Sequence, residues 1–118
     1  MPGSFVFINI VAMYIQNISF IIVREREREL LDWLEDNKTV LTGTGGINHR
    51  LSILRETAGA SDVTAEAQTI AFQAEFCDMK ALRAWMDNSI HPLIIQFETK
   101  FGPEAVAFTS VFETLEWN

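Results

Sequence analysis

Apolar and polar residues alternate along this chain in the order strand, helix, strand, strand, helix, strand. That order predicts an α+β fold, the ferredoxin-like βαββαβ sandwich: a four-stranded antiparallel sheet with two helices on one face. Two further observations support it. The first strand carries no charge, which suits the central place this topology gives it. The third strand alternates cleanly, with Ile70, Phe72, Ala74 and Phe76 facing one way and Thr69, Ala71, Gln73 and Glu75 the other. At 118 residues the chain is one domain with a real core, since a chain of this size buries roughly two-thirds of its unfolded surface.

The elements follow from local patterning. Tyr14 to Val23 is the first strand, with Tyr14, Gln16, Ile18, Phe20 and Ile22 on its greasier face. The alternating run Arg24 to Glu29 opens a helix whose Leu30, Leu31, Trp33 and Leu34 make an apolar stripe. Because that run is charge-neutral, a solvated helix face explains it better than a binding patch does. Gly43, Gly45 and Gly46 end the helical region, and Ile47 to Thr57 is the second strand, with Ile47, Leu51 and Ile53 on its core face. A polar connection from Ala58 to Thr64 is expected to be mobile before the third strand, Glu66 to Phe76. Asp78 is placed to cap a helix in which Met79, Leu82, Met86, Ile90, Leu93 and Phe97 recur at steps of three and four. Pro92 predicts a kink, or two short helices meeting near Asn88 to Pro92. After Gly102-Pro103, Ala105 to Trp117 is the last strand, read with Val106, Phe108 and Phe112 on the core face against Thr109, Val111 and Glu113.

Charge is distributed unevenly. All 25 charged residues lie after Val23, and nine Lys/Arg against sixteen Asp/Glu leave a net charge of −7. The uncharged stretch from Phe5 to Val23 has the length of a membrane span. Its β-branched residues, together with the interruptions at Asn9, Gln16, Asn17 and Ser19, favour a strand covered on both faces instead. No membrane association is therefore expected. Residues 1–12 read as an N-terminal extension or an added strand, and residues 13–118 as the single ferredoxin-like domain. An acidic chain without a basic cluster is not built for nucleic acid. The lone Cys77 has no intrachain partner, as suits the reducing cytoplasm.

Motifs that carry chemistry are scarce. Gly43-Thr44-Gly45-Gly46 follows a helix and precedes a strand, the reverse of a phosphate-binding turn, so it is a plain connection. His49 and His91 have no cysteine or histidine cluster around them, and neither a metal site nor a cofactor is implied. Cys77 lacks a basic neighbour that would favour its thiolate. Nucleophilic catalysis has no supporting signature.

The sheet face away from the helices is more informative. It is expected to carry Asn17, Ser19, Arg50, Ser52, Gln73, Glu75, Thr109 and Glu113, together with Ile15, Ile21, Ala71, Val111 and Leu115. A mixed open face of this kind calls for a second copy to cover it. Such a homodimer would enclose a partly polar cavity, with Asn17, Arg50, Gln73, Glu75 and Glu113 as candidate contacts for a small-molecule ligand. The same groups could instead pair with one another across the interface.

The stretches Met13-Tyr14-Ile15-Gln16-Asn17-Ile18-Ser19, Trp33-Leu34, Thr42-Gly43, Phe101-Gly102 and Val106-Ala107-Phe108-Thr109 resemble an uncharacterised bacterial family, common in Bacteroidetes, of the dimeric α/β-barrel type. The resemblance spans Met13 to Trp117. Gln16 stands where a tyrosine is usual, and residues 1–12 have no counterpart. The resemblance implies the fold and dimerisation but no activity, so no catalytic residue is carried over. Two functions are open: a homodimeric binding or regulatory module, or a monooxygenase-like enzyme acting on a small organic substrate. The enzyme would need an enclosed pocket with a proton-handling group such as His49 or Glu75.

Overall fold

The computed structural model describes residues 13–43, 45–56 and 66–116. The added strand or extension expected in residues 1–12 and the connection expected from Ala58 to Thr64 lie outside the described residues. β1 (Met13–Val23) leads through a single 3-10 turn at Arg24–Arg26 into α1 (Glu27–Asp36) and a short α2 (Lys38–Thr42). β2 (Ile47–Ile53) and β3 (Ala67–Phe76) follow, then α3 (Met79–Trp85), α4 (His91–Phe101) and β4 (Val106–Thr114). The strands lie in the order β2-β3-β1-β4 with every neighbour antiparallel, so the first and third strands are central as the topology requires. This is the ferredoxin-like arrangement.

Local chemistry explains the helix boundaries. Asn37 separates α1 from α2, with its side-chain amide donating to the Trp33 carbonyl at 2.9 Å. Asp78 caps α3, accepting from the Lys80 backbone N–H at 2.8 Å. Where Pro92 predicts a kink or a break, the chain makes a π-helical turn over Met86–Ile90 and continues into α4. Proline has no N–H to give to the carbonyl one turn back, and the wider turn takes up the mismatch. Pro92 follows that turn directly, so the N–H it lacks falls where the backbone passes from the wider turn into α4.

One sheet face is buried and the other is open. Gln16, Ile18, Phe20 and Ile22 of β1 and Gln68, Ile70, Phe72, Ala74 and Phe76 of β3 lie buried beneath the helices. The opposite residues of β1, from Ile15 to Ile21, are only half-buried. In one chain β1 is therefore covered on a single face, not on two. Phe20, Trp33, Phe97 and Phe101 form the centre of the core, with Phe20 edge-on to Phe97 at 5.0 Å and Trp33 edge-on to Phe101 at 5.9 Å. Arg26 fastens the rim. It donates twice to the Glu29 carboxylate, once to the Phe101 carbonyl at 2.9 Å, and lies 4.7 Å from the centre of the Phe101 ring. That hydrogen bonding, aided by the attraction of the guanidinium, holds the Glu29 carboxyl below its ordinary value.

Register corrects two expectations. Residues directly opposite in a ladder share a face, and Ile15, Ser19 and Ile21 stand opposite Phe112, Phe108 and Val106. Phe108 and Phe112 are thus on the open face, not in the core, while Thr109, Val111 and Glu113 share the helix side with Tyr14, Gln16 and Ile18. β4 is an edge strand exposed along nearly its whole length, so burial does not select its greasier face. Ala105, which is buried, and the half-buried Ala107 take the helix side instead. The second correction is Ile47. An irregularity between Ile47 and Arg50, with Asn48 at a φ of 52°, sets Ile47 opposite Glu75 on the open face, while Leu51 and Ile53 keep the core side.

Truncation of Phe97 to alanine is expected to cost about 3–5 kcal/mol in urea unfolding, because it leaves a cavity among the three rings of Phe20, Trp33 and Phe101. Glu29→Gln lowers stability near neutral pH. Since the folded-state carboxyl is depressed, the stabilisation is present above its ordinary value of 4.5 and is lost as pH falls through the depressed value. The gap between wild type and Glu29→Gln should accordingly close on acidification. At Asn48, glycine should keep the left-handed backbone, whereas valine should be about 1–2 kcal/mol less stable than glycine by the same assay.

Candidate functional site

The open face is ordered in rows that run across the strands. Ser110 of β4 stands opposite Asn17 of β1, Asn17 opposite Gln73 of β3, and Gln73 opposite Arg50 of β2. A polar row therefore crosses the whole sheet. Within it the Gln73 Nε2 donates to Asn17 Oδ1 at 3.2 Å, and Asn17 Nδ2 donates to Ser19 Oγ at 3.0 Å. These bonds fix the Asn17 carboxamide, with its oxygen toward β3 and its nitrogen toward Ser19.

Rows that mix large apolar with polar residues lie on either side. Phe112, Ile15 and Ile47 flank the polar row on one side with Glu75 between the last two. Phe108, Ser19, Ala71 and Ser52 form the row on the other side, followed by Val106, Ile21 and Thr69. The Leu54 backbone N–H donates to the Thr69 carbonyl at 3.0 Å, which continues that last row to the edge. Phe108 and Phe112 are 56% and 55% exposed, and Ile47, Leu54 and Val106 are exposed as well. The Glu75 carboxylate accepts from Asn48 Nδ2 at 3.1 Å, so the residue that shapes the β2 irregularity also anchors the acid.

Four of the five residues singled out from sequence, Asn17, Arg50, Gln73 and Glu75, meet on this face. Glu113 does not: it stands opposite Tyr14 and belongs to the helix side. Ser110 completes the polar row and was missed, because reading Phe108 and Phe112 into the core turned it away from the site. The tell-tale is the pair of small residues Ala105 and Ala107, which fit a helix-covered position better than the rings beside them. Gln16, on the greasier face of the first strand as expected, and Gln68 are polar residues buried on the helix side, each 1% exposed. Gln16 Nε2 donates to the Ser110 carbonyl and Gln68 Nε2 to the Leu54 carbonyl, both at 3.1 Å. Each spends its amide on a backbone acceptor, Gln16 tying the central strand β1 to β4 and Gln68 tying β3 to the segment after β2.

The remaining candidates are scattered. His49 is exposed on β2, its ring stacked on Phe72 at 6.0 Å. His91 lies 3.4 Å from Asp87 on the helical layer. Cys77 is exposed, and Gly45 and Gly46 form the connection from α2 to β2. Among the described residues no group of three or more His, Cys, Asp or Glu could hold a metal ion, and no helix is long and apolar enough to cross a membrane.

No protein-family model matches the chain. No curated protein matches it either. Solved structures do. A dabb family protein with a ferredoxin-like fold from Mesorhizobium loti is 20% identical, with 89% of this chain and 99% of that one covered and a TM-score of 0.58. A dimeric ferredoxin-like protein from an uncultured marine organism is 16% identical over 91% of this chain and 99% of that one, with a TM-score of 0.58. SnoaB, a cofactor-independent oxygenase from Streptomyces nogalater, is 15% identical over 89% and 95%, with a TM-score of 0.54. At such identities the likeness is one of fold: the chain shares the ferredoxin-like sandwich with proteins that include a dimer and an oxygenase.

Proposed function

We propose that this chain is a homodimeric binding module in which two open sheet faces meet and hold a small organic molecule along the polar row. The observation that carries the proposal is the exposure of Phe108 and Phe112 beside the row of Ser110, Asn17, Gln73 and Arg50. A flat face with this much apolar surface is costly to leave in water, and a two-fold partner presents the same rows in return. The row then supplies fixed amide donors and acceptors inside an otherwise greasy interface, and Arg50 and Glu75 supply opposite charges beside it. The dimeric ferredoxin-like relative in fold supports the same assembly. Membership of the bacterial family that the Met13–Ser19 stretch resembles, and a cytoplasmic setting suited to the unpaired Cys77, belong to the same proposal.

A monooxygenase-like enzyme is the second reading, supported by the oxygenase of shared fold. Glu75 would be its proton-handling group, since it lies on the open face while His49 lies at the sheet edge. That chemistry requires the dimer to enclose a pocket, so a dry, fully packed interface removes it.

Light scattering should give the wild-type chain twice its 13.4 kDa mass. Replacing both Phe108 and Phe112 with glutamate should return it to a monomer. A monomeric wild type at high protein concentration would sink the proposal. Native mass spectrometry of freshly purified protein reads the copy number together with any ligand carried along.

A further inference from the structure

The helix side of the sheet holds a second feature, which the dimer proposal does not use. β2, like β4, is an edge strand that the helical layer leaves largely uncovered: Leu51 points to the helix side, opposite the buried Phe72, yet remains 46% exposed. Between it and α1 and α2 lies a cleft of about 200 Å³. Leu34, Leu41 and Phe72, none more than 4% exposed, are its base, and Leu51 and the His49 ring stacked on Phe72 are its wall. Lys38, Glu35 and Arg50 complete the lining.

We propose that this cleft is a binding site for a small apolar acid, a one- or two-ring or short hydrocarbon body bearing a single carboxylate. The base and wall select the apolar body. They present leucine side chains and stacked rings, and Leu51 is left half in water by the fold, so a ligand that covers it gains the burial the helices do not provide. The volume selects the size, since it falls below the roughly 300 Å³ at which sites for drug-sized ligands begin. Charge selects the acid. In a chain of net charge −7 the lining carries two permanent cations, Lys38 and Arg50, against the single carboxylate of Glu35. Neither cation forms an ion pair among the described residues, whereas Arg26, Arg28 and Lys100 each have a carboxylate partner. A ligand carboxylate meets at least one cation that has no acid to give up first. Lys38 begins α2 on the helix side and Arg50 lies on the strand edge where the cleft and the open face adjoin, so Lys38 is the residue whose charge reports on this site alone.

The test is a titration of the full-length chain with 1-naphthoate, followed by amide chemical shifts, with 1-naphthylmethanol as the uncharged comparison. Saturable shifts are expected at Thr42, Leu51 and Phe72, and the alcohol should bind several-fold more weakly. Lys38→Glu should weaken naphthoate binding about tenfold and Leu51→Glu should abolish it. Both positions are exposed, and an otherwise unchanged spectrum verifies the fold of each variant. Lys38→Ala, a milder change, should fall between wild type and Lys38→Glu. Phe108→Glu, which disrupts the proposed dimer face, should leave the affinity unchanged, so failure of the dimer and failure of this site are read separately. Absence of saturable shifts, equal binding of acid and alcohol, or shifts confined to Ile15, Asn17 and Phe112 would each overturn the proposal.

Discussion

Everything in this fold depends on the two-residue period of β1. The strand is hydrogen-bonded on both edges, to β3 over Tyr14 to Val23 and to β4 over Met13 to Ile21. Each β1 residue therefore fixes the face of two others. Ile18 and Phe20 are fully buried beneath the helices, and a slip of one residue would exchange them for Asn17 and Ser19. Burial of an amide and a hydroxyl in place of two large apolar groups is costly enough to hold the register firmly. Once that register is set, Ser110, Asn17 and Gln73 must line up on the open side. The polar row is the far-side consequence of how the core is packed.

The helical layer adapts to the sheet at two places. At one end Arg26 gathers Glu29 and the last carbonyl of α4 around the Phe101 ring, so that the chain leaving β1 is tied to the chain about to form β4. In the middle the π-turn at Met86–Ile90 lets one continuous helical run cross the sheet although Pro92 lies inside it. Met86 and Ile90 stay buried through that turn, so the core is not interrupted. The helices nevertheless end short of β2. That shortfall leaves Leu51 half in water and opens the cleft beside His49.

The two faces of the sheet therefore offer different chemistry. The open face carries hydrogen-bonding groups fixed between rows that bear the exposed Phe108 and Phe112, which suits contact with a second extended surface. The cleft is small and deep-based, with cations on its lining, which suits a compact anion with a greasy body. Arg50 lies where the two adjoin, opposite Gln73 on one side and on the cleft lining on the other.

The sequence alone determined the order and type of the elements, the cap at Asp78, the faces of β1 and β3, and four of the residues that meet on the open face. These are legible because they are set locally or by strong burial: alternation in β3 and three-to-four spacing in the second helical run need no partner to be recognised. The face of β4, the place of Ser110 and Glu113, the displacement of Ile47 and the existence of the cleft were decided only by tertiary structure. β4 and β2 are edge strands in water on most of their surface, so hydrophobicity exerts little pull on which way their residues point. Hydrogen-bond register to a distant strand settles that direction, aided at β2 by one left-handed residue, Asn48, and the only local trace of it in β4 is the small size of Ala105 and Ala107.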